Sequence, residues 1–269
     1  MRYFLFLFHF CVCILNYSYS QKTAYELYAD TSDFPSLRRR IGDQSLFIKL
    51  DSNNTEAYIR RSQLFYQIGD YTSSLKDMDQ VIRINPKASS AYTNKGMCYV
   101  FLKNTKLALA SFDKAIQLEP NEALHFLNRA YAKSESKDHK GAVADLTTAI
   151  KLKPDYFKAF ANRGASEIQL KQYREAVIDF TQAISINPNY LEAYIMRGRA
   201  KYLMKDYQGA IDDYNKVIDM APDVQSYKFF KYRSDAYQMK GDTNNAKIEN
   251  EKAMLIAKDT IIPVYNKQR

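Results

Sequence analysis

The chain has 269 residues, 46% of them hydrophobic and 26% charged, a balance that suits a folded protein and excludes a disordered one. Its formal net charge is +9, an excess that need not gather into the basic patch a nucleic-acid binder requires when it is spread over a long surface. The length admits either one large domain or an extended array.

Residues 1–20 differ from the rest of the chain. Met1-Arg2, an apolar run from Tyr3 to Leu15 and the small polar close NYSYS before Gln21 have the layout of a secretory signal. The run is shorter than the roughly 20 residues a spanning helix needs, and Ser18 and Ser20 supply the small side chains a signal peptidase requires. Cleavage is therefore expected after Ser20, leaving a mature chain with no stable membrane span; a retained anchor is the competing reading. Cleavage removes His9, Cys11 and Cys13 and leaves Cys98 as the only thiol, which fits export of a fold that needs no disulfide. The SYSQ junction favours a bacterial periplasm or exterior, whereas a eukaryotic secretory lumen would make Asn53, in NNT, a glycosylation acceptor. In the segment 21–54, Pro35 to Leu50 reads as a lone second helix started by Asp33 and able to cap the residues after it, although Gly42 works against it.

From residue 55 onward the chain repeats. Pro86, Pro120, Pro154, Pro188 and Pro222 each come 34 residues after the last, and a fixed period of that length means a stacked array. With each proline as position 32, units begin at Thr55, Ser89, Ala123, Phe157 and Leu191, and a sixth near Tyr227. Position 4 is a ring in every unit: Tyr58, Tyr92, Phe126, Phe160, Tyr194 and Phe230. Position 8 (Ser62, Gly96, Ala130, Gly164, Gly198, Ser234) and position 20 (Ser74, then Ala108, Ala142, Ala176, Ala210 and Ala246) are small. Helices approach closely only where side chains are small, so these two positions mark the crossing of a first and a second helix. Apolar residues recur at helical spacing on both sides of a break at 171–173, and proline stops the second helix, so each unit is a helical hairpin. Cys98 shares its position with Leu64, Ala132, Ser166, Ala200 and Ala236 and is expected buried and inert.

These offsets resemble the tetratricopeptide repeat family, whose pattern sets Trp, Leu-Gly, Tyr, Ala, Phe and Pro at the same places. The resemblance covers residues 55–258 and implies an all-α fold, a right-handed superhelix of about six stacked helix-turn-helix units, with 259–269 as a tail. Two departures stand out: an aromatic replaces Trp at position 4, and at position 11 Phe65, Tyr99 and Tyr237 fit while Lys133, Glu167 and Lys201 do not. In the last unit Asn250 and Lys258 replace the position-24 ring and the proline, a polar outer face that closes an array.

Three columns bear on function. Position 7 reads Arg61, Lys95, Arg129, Arg163, Arg197 and Arg233, and position 23 reads Asp77, Ser111, Asp145, Asp179, Asp213 and Glu249. The acid is missing where Arg becomes Lys, which predicts an Arg-carboxylate bridge tying the two helices of a unit. Arginines so held cannot serve an anionic polymer, and nucleic acid is not an expected partner. Position 6 carries Asn94, Asn128 and Asn162 in successive units. Asn is a poor helix former that offers a donor and an acceptor, so this repetition suggests hydrogen bonds to an extended backbone; a polar face copied by duplication is the alternative. By the resemblance, positions 2, 5, 9, 12 and 13 line the groove, here with Ile59, Tyr66, Phe101, Tyr131, Ile168, Tyr202, Lys158 and Arg199. Position 5 lacks the lysine of family members that clamp a free C-terminal carboxylate, so that function is not carried over.

His125 and His139 have no Cys or paired carboxylate at ligand spacing, and no phosphate loop or nucleophile elbow is present. The expectation is a non-catalytic scaffold, without metal or cofactor, that binds an extended peptide or partner protein on its concave face. Tyr66, Phe101, Tyr131 and Tyr202 would supply apolar contacts, Asn94, Asn128 and Asn162 register, and Lys158 and Arg199 charge. Its rivals are an envelope-complex component that uses the convex face and a basic surface for an anionic polymer.

Overall fold

The computed structural model describes residues 34–222 and 226–261; the expected signal, Asp33 and residues 262–269 of the expected tail lie outside the described residues. Among the described residues the chain is helical throughout. Helix α1 (Phe34–Leu50) is followed by six hairpins: α2 (Thr55–Gln67) with α3 (Tyr71–Ile84), α4 (Ser89–Phe101) with α5 (Thr105–Leu118), and α6 (Ala123–Glu135) with α7 (His139–Leu152). Then come α8 (Phe157–Gln169) with α9 (Tyr173–Ile186), α10 (Leu191–Leu203) with α11 (Tyr207–Met220), and α12 (Tyr227–Lys240) with α13 (Thr243–Ile261). This is the stacked helical-hairpin fold expected from the repeat.

Two compact units divide the chain, Met1–Asp145 and Leu146–Arg269, with the division inside α7. Within the first, each helix from α1 to α6 packs on the next, and the first helices α4 and α6 also touch. Within the second, each helix from α8 to α13 does the same, and α8 meets α10 as α10 meets α12.

The hairpin turns share one design. Position 15 is left-handed in every unit, with Gly69 at φ 80° and Gly241 at φ 90°, and with Lys103, Lys137, Lys171 and Lys205 at φ 58–68° between them. The next N–H reaches back five residues, as in Asn104 N to Tyr99 O at 2.8 Å and Asp206 N to Lys201 O at 2.9 Å, satisfying carbonyls that the helix end leaves open. That next residue also caps the second helix: the carboxylate or amide oxygens of Asp70, Asn104, Asp138, Asp206 and Asp242 accept from the backbone N–H three residues on, at 2.9–3.2 Å. Gln172 holds the equivalent place with no side-chain cap bond. One residue therefore ends one helix and starts the next.

At the helix crossing the small residues of position 8 face the ring of position 24. A Cβ on Gly96 would sit 2.6 Å from the Phe112 ring, and one on Gly198 2.6 Å from Tyr214. Where serine occupies the crossing it bonds across it, Ser62 Oγ to Ser74 Oγ at 2.9 Å and Ser234 Oγ to the Ala246 carbonyl at 2.8 Å. Phe112, Phe180 and Tyr214 are at most 1% exposed, so the ring has nowhere to retreat. Replacing Gly96 by Ala should lower unfolding free energy by about 1–3 kcal/mol through overpacking. Gly42, inside α1, should respond oppositely, because an added Cβ there would meet nothing within 4 Å. Gly42→Ala should add about 0.5–1 kcal/mol, and denaturant melts of the two variants check both signs.

Candidate functional site

The predicted bridge is present wherever both residues are. Arg61 reaches Asp77 through Nε and Nη2 at 2.9 and 2.6 Å, and Arg129–Asp145, Arg163–Asp179 and Arg197–Asp213 repeat that fork at 2.6–3.0 Å. Arg233 binds Glu249 at 2.8 Å. The acids are 3–5% exposed, a burial a carboxylate tolerates only with a bonded cation. Burial works against the arginines as well, but the bond to Asp77 raises Arg61 above its ordinary value, and Asp145 and Asp179 do the same for Arg129 and Arg163.

The third nitrogen of each fork has a role the sequence columns did not suggest. Nη1 of Arg61, Arg129, Arg163 and Arg197 donates to Ser45, Asp113, Thr147 and Thr181, each sixteen residues earlier, at 2.7–3.1 Å. These are position 25 of the preceding second helix. Arg233 makes the corresponding bond to Asn215 at 3.3 Å, and Lys95, lacking an acid in its own hairpin, goes to Asp79. Thus one cation joins three helices. Ser45 takes part from α1, which places that helix in the register of a second helix.

Position 11 explains itself in the same terms. Where the ring is absent, Lys133 Nζ reaches Asp145 and Lys201 Nζ reaches Asp213, both at 2.8 Å, so these lysines complete the bridge. Glu167 instead brings a second carboxyl to Asp179. It is 8% exposed and its Oε2 has no partner; burial first, and then the Asp179 charge, push it up to about 7. Burial alone pushes Glu192, 7% exposed and also with an unpartnered oxygen, to about 7.

The residues expected to face a ligand fall into local groups. In the first unit, Tyr66 and Phe101 meet edge to face at 5.4 Å, and Tyr71 stacks on Phe101 at 5.0 Å. Tyr131 packs against the cluster around Phe112. Asn94 is half-buried and Asn128 is 6% exposed. In the second unit, Asn162 and Lys158 are half-buried, the Lys158 ammonium lying 5.9 Å from the Phe157 ring centre. Arg199 covers Tyr232 at 5.6 Å, and Tyr202 leans on Tyr207 at 5.6 Å. Ile168 departs from expectation: it is 5% exposed and belongs to the core with Phe180 and Met196, because its helix turns that position toward the neighbouring hairpin rather than to solvent.

His125, whose place sequence spacing did not settle, and Cys98, expected to be buried, are both internal. His125 is 3% exposed, with Nδ1 2.9 Å from Thr93 Oγ1 and Nε2 3.5 Å from the Glu119 carboxylate. Cys98 is fully buried, donates to Ser74 Oγ at 3.2 Å, and burial pushes its thiol up to about 11, so it is not a nucleophile at neutral pH. Among the described residues, no group of three or more His, Cys, Asp or Glu could hold a metal ion, and no helix is long and apolar enough to cross a membrane.

The buried glutamates give the second unit a pH dependence. A carboxyl held above its ordinary value contributes stability that is complete below that value and is lost as pH rises through the folded one, here about 7. Stability should therefore decline from pH 5 to pH 8. Glu167→Gln, which keeps the shape and removes the charge, should recover about 1–3 kcal/mol at pH 8 and change little at pH 5; urea melts at the two pH values test this, and equal effects at both would contradict it.

Comparison with known proteins places this geometry. The "Tetratricopeptide repeat" family models match residues 89–122 and residues 55–87, 126–156, 157–190 and 191–224, together more than half of the chain. No curated protein sequence matches. Among solved structures, Pseudomonas aeruginosa PilF is 18% identical with a TM-score of 0.67, covering 77% of this chain and 96% of its own. PilW, described as a "widely conserved type IV pilus biogenesis factor", is 16% identical with a TM-score of 0.69 over 75% of this chain and 92% of its own. YrrB, "a TPR protein with an unusual peptide-binding site", is 20% identical with a TM-score of 0.52 over 67% of this chain and 93% of its own. At these identities the solved structures share the fold, and the repeat matches carry the assignment: the chain belongs to the tetratricopeptide repeat family.

Proposed function

We propose that the protein is a non-catalytic scaffold that binds an extended segment of a partner protein along the face formed by its first helices. The observation that carries this reading is the set of position-6 amides. Asn94, Asn128 and Asn162 have no side-chain hydrogen-bond partner among the described residues, although each occupies a helix interior where Asn is unfavourable. A side-chain amide offers a peptide backbone both a donor and an acceptor, which suits register-setting contacts with an extended chain. Most of that contribution falls to Asn94 and Asn162, since Asn128 is only 6% exposed. The rings of Tyr66, Phe101, Tyr131 and Tyr202 supply apolar contact, and Lys158 and Arg199 supply charge.

The charge distribution favours this reading over an anionic polymer. Five of the six position-7 cations are paired with an acid of their own hairpin and the sixth with Asp79, so this column of cations is engaged where the helices meet and is not presented as a row to a polymer. Export after cleavage near Ser20, into a bacterial envelope, belongs to the same proposal.

The test is recovery of partners from the envelope with the full gene product, beside Asn94→Ala, Asn128→Ala, Asn162→Ala combined. A partner bound by the wild type and lost from the folded triple variant is the expected result, with a mature N-terminus at Gln21 in the isolated protein. The same partner recovered equally by both would move the interaction off this face, and an N-terminus at Met1 would remove the export claim.

A further inference from the structure

The second unit holds a cavity of about 120 Å³ whose walls are Arg199, Tyr202 and Leu203 from α10, Tyr232 and Asp235 from α12, and Tyr214 from α11 beneath. Arg199 is unlike the position-7 arginines. Its guanidinium lies over the Tyr232 ring at 5.6 Å and has no carboxylate or other hydrogen-bond partner among the described residues. The hydroxyls of Tyr202, Tyr214 and Tyr232 likewise bond nothing among the described residues. Burial pushes the Tyr214 and Tyr202 phenols up, so both stay protonated and able to donate. A second cation stands close by: burial and the Arg199 charge hold the Lys228 ammonium below its usual range. The one acid of the wall, Asp235, is engaged by Lys231 at 3.0 Å.

A small cavity walled by a planar guanidinium and three phenols is rich in donors, while its one anionic acceptor is already engaged. What fits it is an acceptor of matching planarity, since a guanidinium on an aromatic face binds carboxylate through two parallel bonds. With Asp235 held by Lys231, the uncompensated charge of the wall is the single positive one of Arg199, which a singly charged guest balances. We infer that this cavity seats the carboxylate of an aspartate or glutamate side chain in the bound segment, with Leu203 and the rings taking the methylenes that carry it. The inference rests on the peptide-binding reading and adds what the second unit requires of the peptide.

The test is selection of a random dodecapeptide library, displayed so that every peptide C-terminus is joined to its carrier, on the full chain and in parallel on Arg199→Met. Wild-type binders should share an acidic residue at one register, and that preference should vanish on Arg199→Met. For a selected peptide made synthetically with blocked ends, changing the acid to its amide should weaken binding about 10- to 100-fold, and Arg199→Met should do the same. The two changes together should cost no more than either alone. Arg199→Lys, which keeps the charge without the fork, should lie between. Thermal melts establish that the variants are folded. Enriched peptides without a common acid, or an acid preference unchanged in Arg199→Met, would overturn this inference and leave peptide binding standing. No enrichment over the bare carrier would overturn both.

Discussion

In five of the six hairpins a single guanidinium at position 7 closes the pair of helices. It forks onto an acid of the helix across its own hairpin and sends its remaining arm to the second helix of the hairpin before, so three helices meet at one charge. Neither partner would be stable inside alone: an unpaired carboxylate at 3–5% exposure costs several kcal/mol. The ring at position 4 lies against the same group, with Arg61, Arg129, Arg163 and Arg197 at 5.5–5.7 Å from the rings three residues earlier. Packing, ionic closure and the link to the neighbour are therefore decided together at one residue.

Much of this was legible because repetition turns a sequence into columns. The 34-residue proline spacing located the hairpins, the small residues at positions 8 and 20 located their crossing, and the matched loss of Arg and Asp at Lys95 and Ser111 revealed the bridge. What stayed hidden lacked a uniform residue type. Position 25 is Asp, Thr, Ser or Asn by turns, chemically one acceptor but four different letters. The cap at position 16 was visible as Asp70, Asn104, Asp138, Asp206 and Asp242, and reading that column would have found it. Ile168 was misplaced because family position was followed where local packing decides. Glu167 stood out only as a misfit at position 11 and Glu192 looks like an ordinary surface acid in a chain of this charge; burial distinguishes both.

The proposed binding face rests on separating polar groups already committed to the fold from those that are not. The position-7 cations are committed, as are the lysines at position 11 that face Asp145 and Asp213. Arg199 and the position-6 asparagines are the residue left over. Net charge alone does not make this distinction, since it counts a cation locked between helices and one open to a ligand alike. The two kinds of uncommitted group also suggest different tasks: amides suit a backbone, which every peptide has, whereas a guanidinium discriminates among side chains.

The left-handed lysines of the hairpin turns carry a consequence for integrity after damage. Lys103, Lys137, Lys171 and Lys205 are exposed at the tips, where a protease that cuts after basic residues finds its accessible bonds. A cut there falls within a hairpin and not between hairpins. A nick after Lys137, Lys171 or Lys205 leaves the two helices joined by Arg129–Asp145, Arg163–Asp179 or Arg197–Asp213. After Lys103 no such tie exists, because Ser111 stands where the acid would be and Lys95 turns back to Asp79. Three of these four tips can thus be severed with the hairpin still ionically closed, and α4–α5 depends on the covalent turn and on Phe112 packed over Gly96.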